Sequence, residues 1–250
     1  MATVQSEYGT IRFGTDFTGD SIPVAGTVQV PIILSGGVKV IGEINNADDG
    51  IVIQGALNGI GRLTTTDEDT LGVALATGVC FDPALMGPLV IEARVSLPAQ
   101  TARSVFFGFA GVLAETQTEL VVGATTTITF TATDGDNLLG FLFDSQLTSK
   151  NWHMPYKGGS ATASTVSTAV DSGVLPVNGE FDILKLELYP DGSARWYING
   201  VLEQEVEGAA STTVNLGAVC GVFATTTTVA TLDVDYFNGK ANRHWDRDNA

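Results

Sequence analysis

The chain has 250 residues, 44% of them hydrophobic and only 16% charged, a balance that excludes disorder over most of its length. Its 28 acidic and 12 basic residues leave a formal charge of −16, which repels phosphate backbones and anionic lipid. Neither nucleic acid nor a membrane surface is therefore an expected partner. The 30 Thr and 26 Val are stiff, β-branched residues that suit a pleated surface, and the 29 Gly suit turns, so an all-β domain is expected. The opening MATVQSEYGT has no basic or apolar leader region, so no secretory signal is expected there. The most apolar run, residues 104–114, falls well short of the roughly 20 residues of a spanning helix.

In chain order, residues 11–17 are expected to form a strand in the same sandwich as the last strand of the chain. The rest of the first 80 residues is weakly patterned. Gly-rich turns at Gly36-Gly37, Asp49-Gly50 and 59–61 punctuate short apolar runs at 38–41 and 51–53. Pro83–Met86 is the best helical candidate, at one turn. In 89–97, Ile91, Ala93, Val95 and Leu97 alternate with Glu92, Arg94 and Ser96, a half-buried strand. Residues 105–113 and 138–143 are nearly continuous apolar runs, as in strands buried on both faces. A Thr-rich strand is expected over 125–133 and another over 225–228. Three strands then follow in succession. Leu184, Leu186 and Leu188 share a face opposite Lys185 and Glu187. The turn Asp191-Gly192 leads to Ala194, Trp196 and Ile198, which point inward. Asn199-Gly200, the strongest short-range hairpin signal, leads to a strand with Leu202 and Val206 on one side and Glu203, Glu205 and Glu207 on the other. Near the end Leu232, Val234 and Tyr236 alternate with Asp233 and Asp235. No linker or fixed-period repeat divides the chain, so one domain is expected over 1–250.

Several groups could carry chemistry. The row Glu203, Glu205, Glu207 offers paired carboxylates of the kind glycoside hydrolysis uses, as does Asp233 with Asp235. A solvated outer strand face is the plainer account of both. Acidic loops at Asp67-Glu68-Asp69, Asp134-Gly135-Asp136-Asn137 and 45–50 could offer oxygens to calcium. None completes the twelve-residue calcium-loop spacing, and Asx turns explain them. Cys80 and Cys220, 140 positions apart, could meet in space, but two free, buried thiols are the plainer expectation. The two histidines, His153 and His244, accompany no G-x-S-x-G elbow, and the residues around Gly55, Gly59 and Gly61 lack the lysine of a phosphate loop. Trp152-His153-Met154-Pro155-Tyr156 is an aromatic loop. Trp152 either caps the core, the plainer account, or stacks with His153 and Tyr156 on a sugar or a protein partner.

The run Phe181-Asp-Ile-Leu-Lys-Leu-Glu-Leu188, the turn Asp191-Gly192 and the run Arg195-Trp-Tyr-Ile-Asn-Gly-Val-Leu202 together resemble the signature of concanavalin A-like (laminin-G-like) jelly rolls. Residues 87–95, Phe141 to Asp144 with Trp152, and 232–236 fit the same layout, and 13–20 would supply an edge strand beside the last one. The match is close over 88–240 and weak before it. It implies an all-β, antiparallel two-sheet jelly-roll sandwich of the concanavalin A-like lectin/glucanase type. Within that superfamily the chain most resembles capsid decoration, or cement, proteins of tailed bacteriophages. This implies a non-enzymatic virion structural protein, made in the host cytoplasm, that binds the major capsid protein on the capsid surface and forms homo-oligomers. No cofactor or metal is implied. The alternative is a carbohydrate-binding, lectin-like module. The related glucanases carry an E-x-D-x-E or E-x-D-x-x-E strand, and 203–207 lacks its central Asp and directly follows the Asn-Gly hairpin. No catalytic residue is therefore assigned. Residues 1–30 and 241–250 are the expected contact arms. Arg243, His244, Trp245 and Arg247 are the partner-contact candidates, because basic and aromatic residues cluster there, and Trp245 packing on its own domain is the equal alternative. Trp152, His153 and Tyr156 are the loop candidates.

Overall fold

The computed structural model describes residues 9–18, 32–42, 50–54, 59–114, 117–131 and 137–243. In chain order the strands are β1 (Thr10–Thr15), β2 (Ile32–Ile33), β3 (Lys39–Gly42), β4 (Gly50–Gln54), β5 (Ile60–Thr64), β6 (Gly72–Ala76), β7 (Leu89–Ser96), β8 (Arg103–Ala110) and β9 (Val121–Ala124). They continue as β10 (Thr127–Phe130), β11 (Leu138–Asp144), β12 (Tyr156–Lys157), β13 (Phe181–Leu188), β14 (Ala194–Ile198), β15 (Val201–Val206), β16 (Gly217–Ala224) and β17 (Thr231–Asn242). The single-turn helix α1 is Pro83–Met86, as expected. Asp82 caps it by accepting the Leu85 N–H, and Pro83 supplies a fixed φ at its start. Among the described residues no helix is long and apolar enough to cross a membrane.

Two antiparallel sheets stack face to face. One runs β15-β14-β13-β7-β17-β5-β4, with β1 also on β17; the other runs β12-β11-β8-β16-β6-β3-β2. This is the expected two-sheet jelly-roll sandwich. The predicted partnership of the first and last strands is present, with Thr10 opposite Asn242 and Thr15 opposite Phe237. Strand β17 is long enough to lie along β7 on one side and to serve β5 and then β1 on the other.

Alternation places the core. Leu184, Leu186 and Leu188 of β13, Trp196 and Ile198 of β14, and Ile91, Ala93 and Val95 of β7 are all buried between the sheets. Across from them lie Phe107 and Phe109 of β8 and Phe141 and Phe143 of β11. Truncating Leu186 to alanine is expected to cost about 2–5 kcal/mol in urea unfolding, as cavity-forming substitutions do. A loss under about 0.5 kcal/mol, the surface range, would contradict its place in the core.

Two bulges shift the expected parity. Trp196 faces Gln204 but Tyr197 faces Leu202, so Glu203 is an extra residue on β15. One extra residue turns the rest of a strand over, and Leu202, expected inward, is 46% exposed. A second shift lies between Val234 and Tyr236. Phe237 therefore enters the core in place of Tyr236, whose hydroxyl bonds Glu92 Oε1 on the outer face at 2.7 Å. The Asn199-Gly200 turn has positive φ at both residues, 51° and 83°, as a type I′ hairpin requires.

The runs expected to be buried on both faces are so over 105–110 and 138–143, whereas 111–113 leave the strand and are only partly buried. Every residue of β8 and β11 is buried. The reason is a cover over the outer face of the seven-stranded sheet. Strands β9 and β10 form a separate hairpin whose Val121 and Ile128 pack with Leu120, Leu147 and Val170 on Phe106, Leu142, Val219 and Phe223. The Thr-rich segment expected as one strand is thus the end of this hairpin. Thr125 sits at its turn with φ 55°, and of the segment's described residues only Thr127–Phe130 is strand. Gly123 permits the close approach, since a Cβ there would stand 2.6 Å from Leu147 Cγ and 2.9 Å from Asp144 Oδ2. Residues 225–228, expected as a strand, form a bend. Both cysteines are free, but only Cys220, inward on β16, is buried; Cys80 lies exposed in a loop, contrary to expectation.

Candidate functional site

The aromatic loop is resolved in favour of the core. Trp152 is fully buried, its ring centroid 6.1 Å from that of Phe143 and its indole N–H donating to Asp182 Oδ2 at 2.9 Å. A ring enclosed in this way offers no face to a sugar or a partner. His153 is also fully buried, because it bridges to Leu142 on the covered side of β11. Tyr156, on the edge strand β12, is half-buried against Trp196 at 6.1 Å between centroids.

Neither ring nitrogen of His153 has a hydrogen-bond partner, and Asp171 Oδ2 stands 3.9 Å from Nε2. Burial holds the imidazole below its ordinary pKa, against the opposing pull of Asp171. Burial would raise Asp171, but hydrogen bonds from Ser149, the Gly173 N–H and Asn151 outweigh it and hold the carboxyl low. With the native pKa of His153 below its unfolded value of about 6.5, the unfolded chain binds more protons at mildly acid pH. Stability from this residue is therefore expected to be present above pH 6.5 and to fall below it, by at most about 1.4 kcal/mol per pH unit for one proton. Urea midpoints at pH 7.5, 6.5 and 5.5 check this, and His153→Phe should flatten the slope.

Of the carboxylates singled out as possible pairs, Asp233, Asp235 and Glu205 are engaged with arginines, while Glu203 is partly exposed on β15 and Glu207 is exposed beyond its end. Asp233 binds Arg62 at 2.6 Å and Asp235 binds Arg94 at 2.5 Å, on the outer face of the eight-stranded sheet. Glu205 pairs with Arg195 at 2.8 Å, and Arg195 also reaches the Tyr189 hydroxyl at 3.0 Å. Tyr189 in turn donates to Glu187, which takes Lys185 at 2.6 Å. This face is a mosaic of neutralised charge. The acidic loop at Asp67-Glu68-Asp69 is solvent-exposed, and residues 45–49 and 134–136 lie outside the described residues. Among the described residues no three His, Cys, Asp or Glu side chains converge to hold a metal ion.

The unusual chemistry lies under the hairpin. Ser104 and Asp144 face each other across β8 and β11. Asp144 is completely buried; its Oδ2 accepts the Gly123 N–H at 2.6 Å and its Oδ1 the Gln146 N–H at 2.8 Å. Burial pushes this carboxyl up to about 6, although those two bonds and Lys150 oppose the rise. Glu119, 4% exposed, is held by its backbone to Thr70. Burial, with repulsion from Asp144 and Asp69, pushes its carboxyl up to about 8. Ser104 lies close enough to favour the ionised form slightly, yet the pair closes no hydrogen bond. Ser104 and Glu119 belong to no sequence motif, and Asp144 figures only as the end of the Phe141–Asp144 run that fits the jelly-roll layout. The one available signal was Asp144, a charge ending an otherwise apolar strand.

Of the expected tail candidates, Arg243 is exposed and its N–H bonds Gly9 O at 2.6 Å; His244, Trp245 and Arg247 lie outside the described residues. Of the expected arms, 1–30 and 241–250, Thr10–Thr15 and residues 241–242 belong to the β1–β17 ladder, and residues 1–8, 19–30 and 244–250 lie outside the described residues. Ala241 and Asn242 still pair with β1, and Ala241 is buried.

No family model and no curated protein sequence matches the chain. Solved structures do. A protein of unknown function from Shewanella oneidensis MR-1 is 11% identical, with 98% of this chain and 92% of that one covered, at a TM-score of 0.55. The carbohydrate esterase from the Shiga toxin-encoding bacteriophage phi24B is 15% identical over 83% of this chain and 91% of its own, at 0.48. The β-glucanase of Bacillus licheniformis is 11% identical over 75% and 81%, at 0.46. At such identities the likeness is one of fold alone.

Proposed function

We propose that the chain is a non-enzymatic virion structural protein that decorates a capsid by binding the outer surface of the major capsid protein shell. The observation that carries this reading is the meeting of the first and last described residues at one end of the sandwich. Gly9 and Arg243, the first and last described residues, are hydrogen bonded at the end of the β1–β17 ladder. The sequence directly after Arg243 carries His244, Trp245 and Arg247 in a chain of charge −16, and this segment is the proposed anchor. Arg and Trp are the residue types enriched at interface hot spots. The body behind them suits a structural role, with one sheet covered by its own hairpin and the other tiled with ion pairs. A protein that binds an assembled lattice better than free subunits stabilises the lattice by mass action.

The test adds purified protein to undecorated shells. The full chain is expected to bind and to raise the temperature at which the shells release their contents. Deleting residues 244–250, which leaves the β1–β17 ladder intact, is expected to weaken binding at least about tenfold, roughly 1.4 kcal/mol. Equal binding by the folded, truncated chain would remove the anchor. A second reading, a carbohydrate-binding module, is favoured by a shallow groove lined by Thr127, Thr129, Phe130, Lys157, Thr162 and Thr165, which combines an aromatic ring, an ammonium and several hydroxyls. Retention on a glycan array without shell binding would put that reading first.

A further inference from the structure

We propose that Glu119, Asp144 and Ser104 form a buried site for one hard, oxygen-binding cation, with calcium the ion that suits these donors. The proposal is independent of the shell-binding reading. Ser104 and Asp144 are direct cross-strand neighbours on the covered face of the seven-stranded sheet, so their side chains stand side by side beneath the hairpin. Glu119 approaches the same place from the segment bonded to Thr70, close enough to feel the Asp144 charge.

Ser104 Oγ and Glu119 Oε1 are both buried and both lack a hydrogen-bond partner. Buried polar atoms in native proteins nearly always have one, and an exception beside a second carboxylate calls for an occupant. The two Asp144 oxygens each accept one backbone N–H and keep capacity for a further contact. Charge points the same way. The ammonium near Asp144 is Lys150, which is bound by the carbonyls of Ser145 and Leu147, while Glu119 faces Asp144 and Asp69. A water molecule would satisfy the orphaned oxygens, but without a cation the pair avoids two facing charges only by keeping a proton on one carboxyl. A cation answers both needs. The donors are all oxygen, with no imidazole or thiolate, which suits calcium and disfavours zinc or copper. A bound ion would also pin the hairpin cover to the sheet, because its ligands come from the cover segment and from two sheet strands.

The experiment uses the full chain stripped with EDTA and dialysed at neutral pH. Calcium chloride titrated by calorimetry is expected to bind one ion per chain, and the melting midpoint is expected to climb with calcium and to return on adding EDTA. Glu119→Gln and Asp144→Asn should each weaken binding at least tenfold while keeping the β-sheet circular dichroism of the parent. Terbium luminescence, quenched by competing calcium, gives a second readout should either variant fold poorly. Absence of heat and of any melting shift at millimolar calcium would overturn the proposal. So would binding unchanged in both variants, or an infrared band of a protonated carboxylic acid that is lost in Glu119→Gln and persists in the parent with calcium present.

Discussion

Replacing Trp196 by alanine is expected to cost about 3–5 kcal/mol, enough to unfold much of a marginally stable domain. The indole is completely buried on β14, and it does more than fill space. Its N–H donates to the Gly140 carbonyl of β11 at 2.9 Å, a hydrogen bond across the core from one sheet to the other. Trp196→Phe separates the two contributions. It keeps most of the ring but leaves a buried carbonyl without its partner, at about 1–3 kcal/mol. Chemical unfolding of both variants should rank them alanine far below phenylalanine, with phenylalanine measurably below the parent. If phenylalanine matched the parent, the inter-sheet bond would contribute nothing.

Gly140→Val is expected to cost about 3 kcal/mol or more for the opposite reason, excess atoms rather than missing ones. A Cβ at this position would stand 2.3 Å from Phe107 O and 2.8 Å from both Gly108 Cα and the tip of the Phe106 ring. Gly108 is its cross-strand partner, and a Cβ there would lie 2.2 Å from Leu139 O. Two glycines facing each other thus let β8 and β11 approach at the centre of the sheet, under the hairpin cover. Backbone on both sides cannot rotate away as a side chain could. The substitution should lower the melting temperature strongly and loosen the cover, seen as faster amide exchange over 120–130. An unchanged melting temperature would mean that the two strands have room to part.

Much of this was legible in the chain itself. Period-two alternation determined the central strands β7, β13 and β14, their inward faces, and the type I′ turn at Asn199-Gly200, because a strand's side chains must alternate and a two-residue hairpin demands positive φ. The continuous apolar runs at β8 and β11 determined that something must cover both their faces, without saying what. The covering hairpin itself was hidden in a Thr-rich segment whose composition reads equally as strand or turn. The inward place of Phe237 and the outward place of Leu202 were not legible, since each depends on a bulge set by pairing with a neighbouring strand rather than by local preference. Trp152 illustrates the same limit: an aromatic loop in sequence becomes a core cap only once Phe143 and Asp182 close around it.

The candidate site lies furthest from sequence reasoning. Glu119, Asp144 and Ser104 are ordinary residues at unremarked spacings, and their chemistry comes from being buried together. The chain alone determined an all-β, acidic body with alternating strands, since those properties follow from local sterics and from total charge. Only the tertiary structure decided which carboxylates are neutralised at the surface by Arg62, Arg94 and Arg195 and which are enclosed beneath β9 and β10. The reason is that burial and the nearness of other charges set the behaviour of an ionisable group, and both are properties of residues far apart in the chain and close in space.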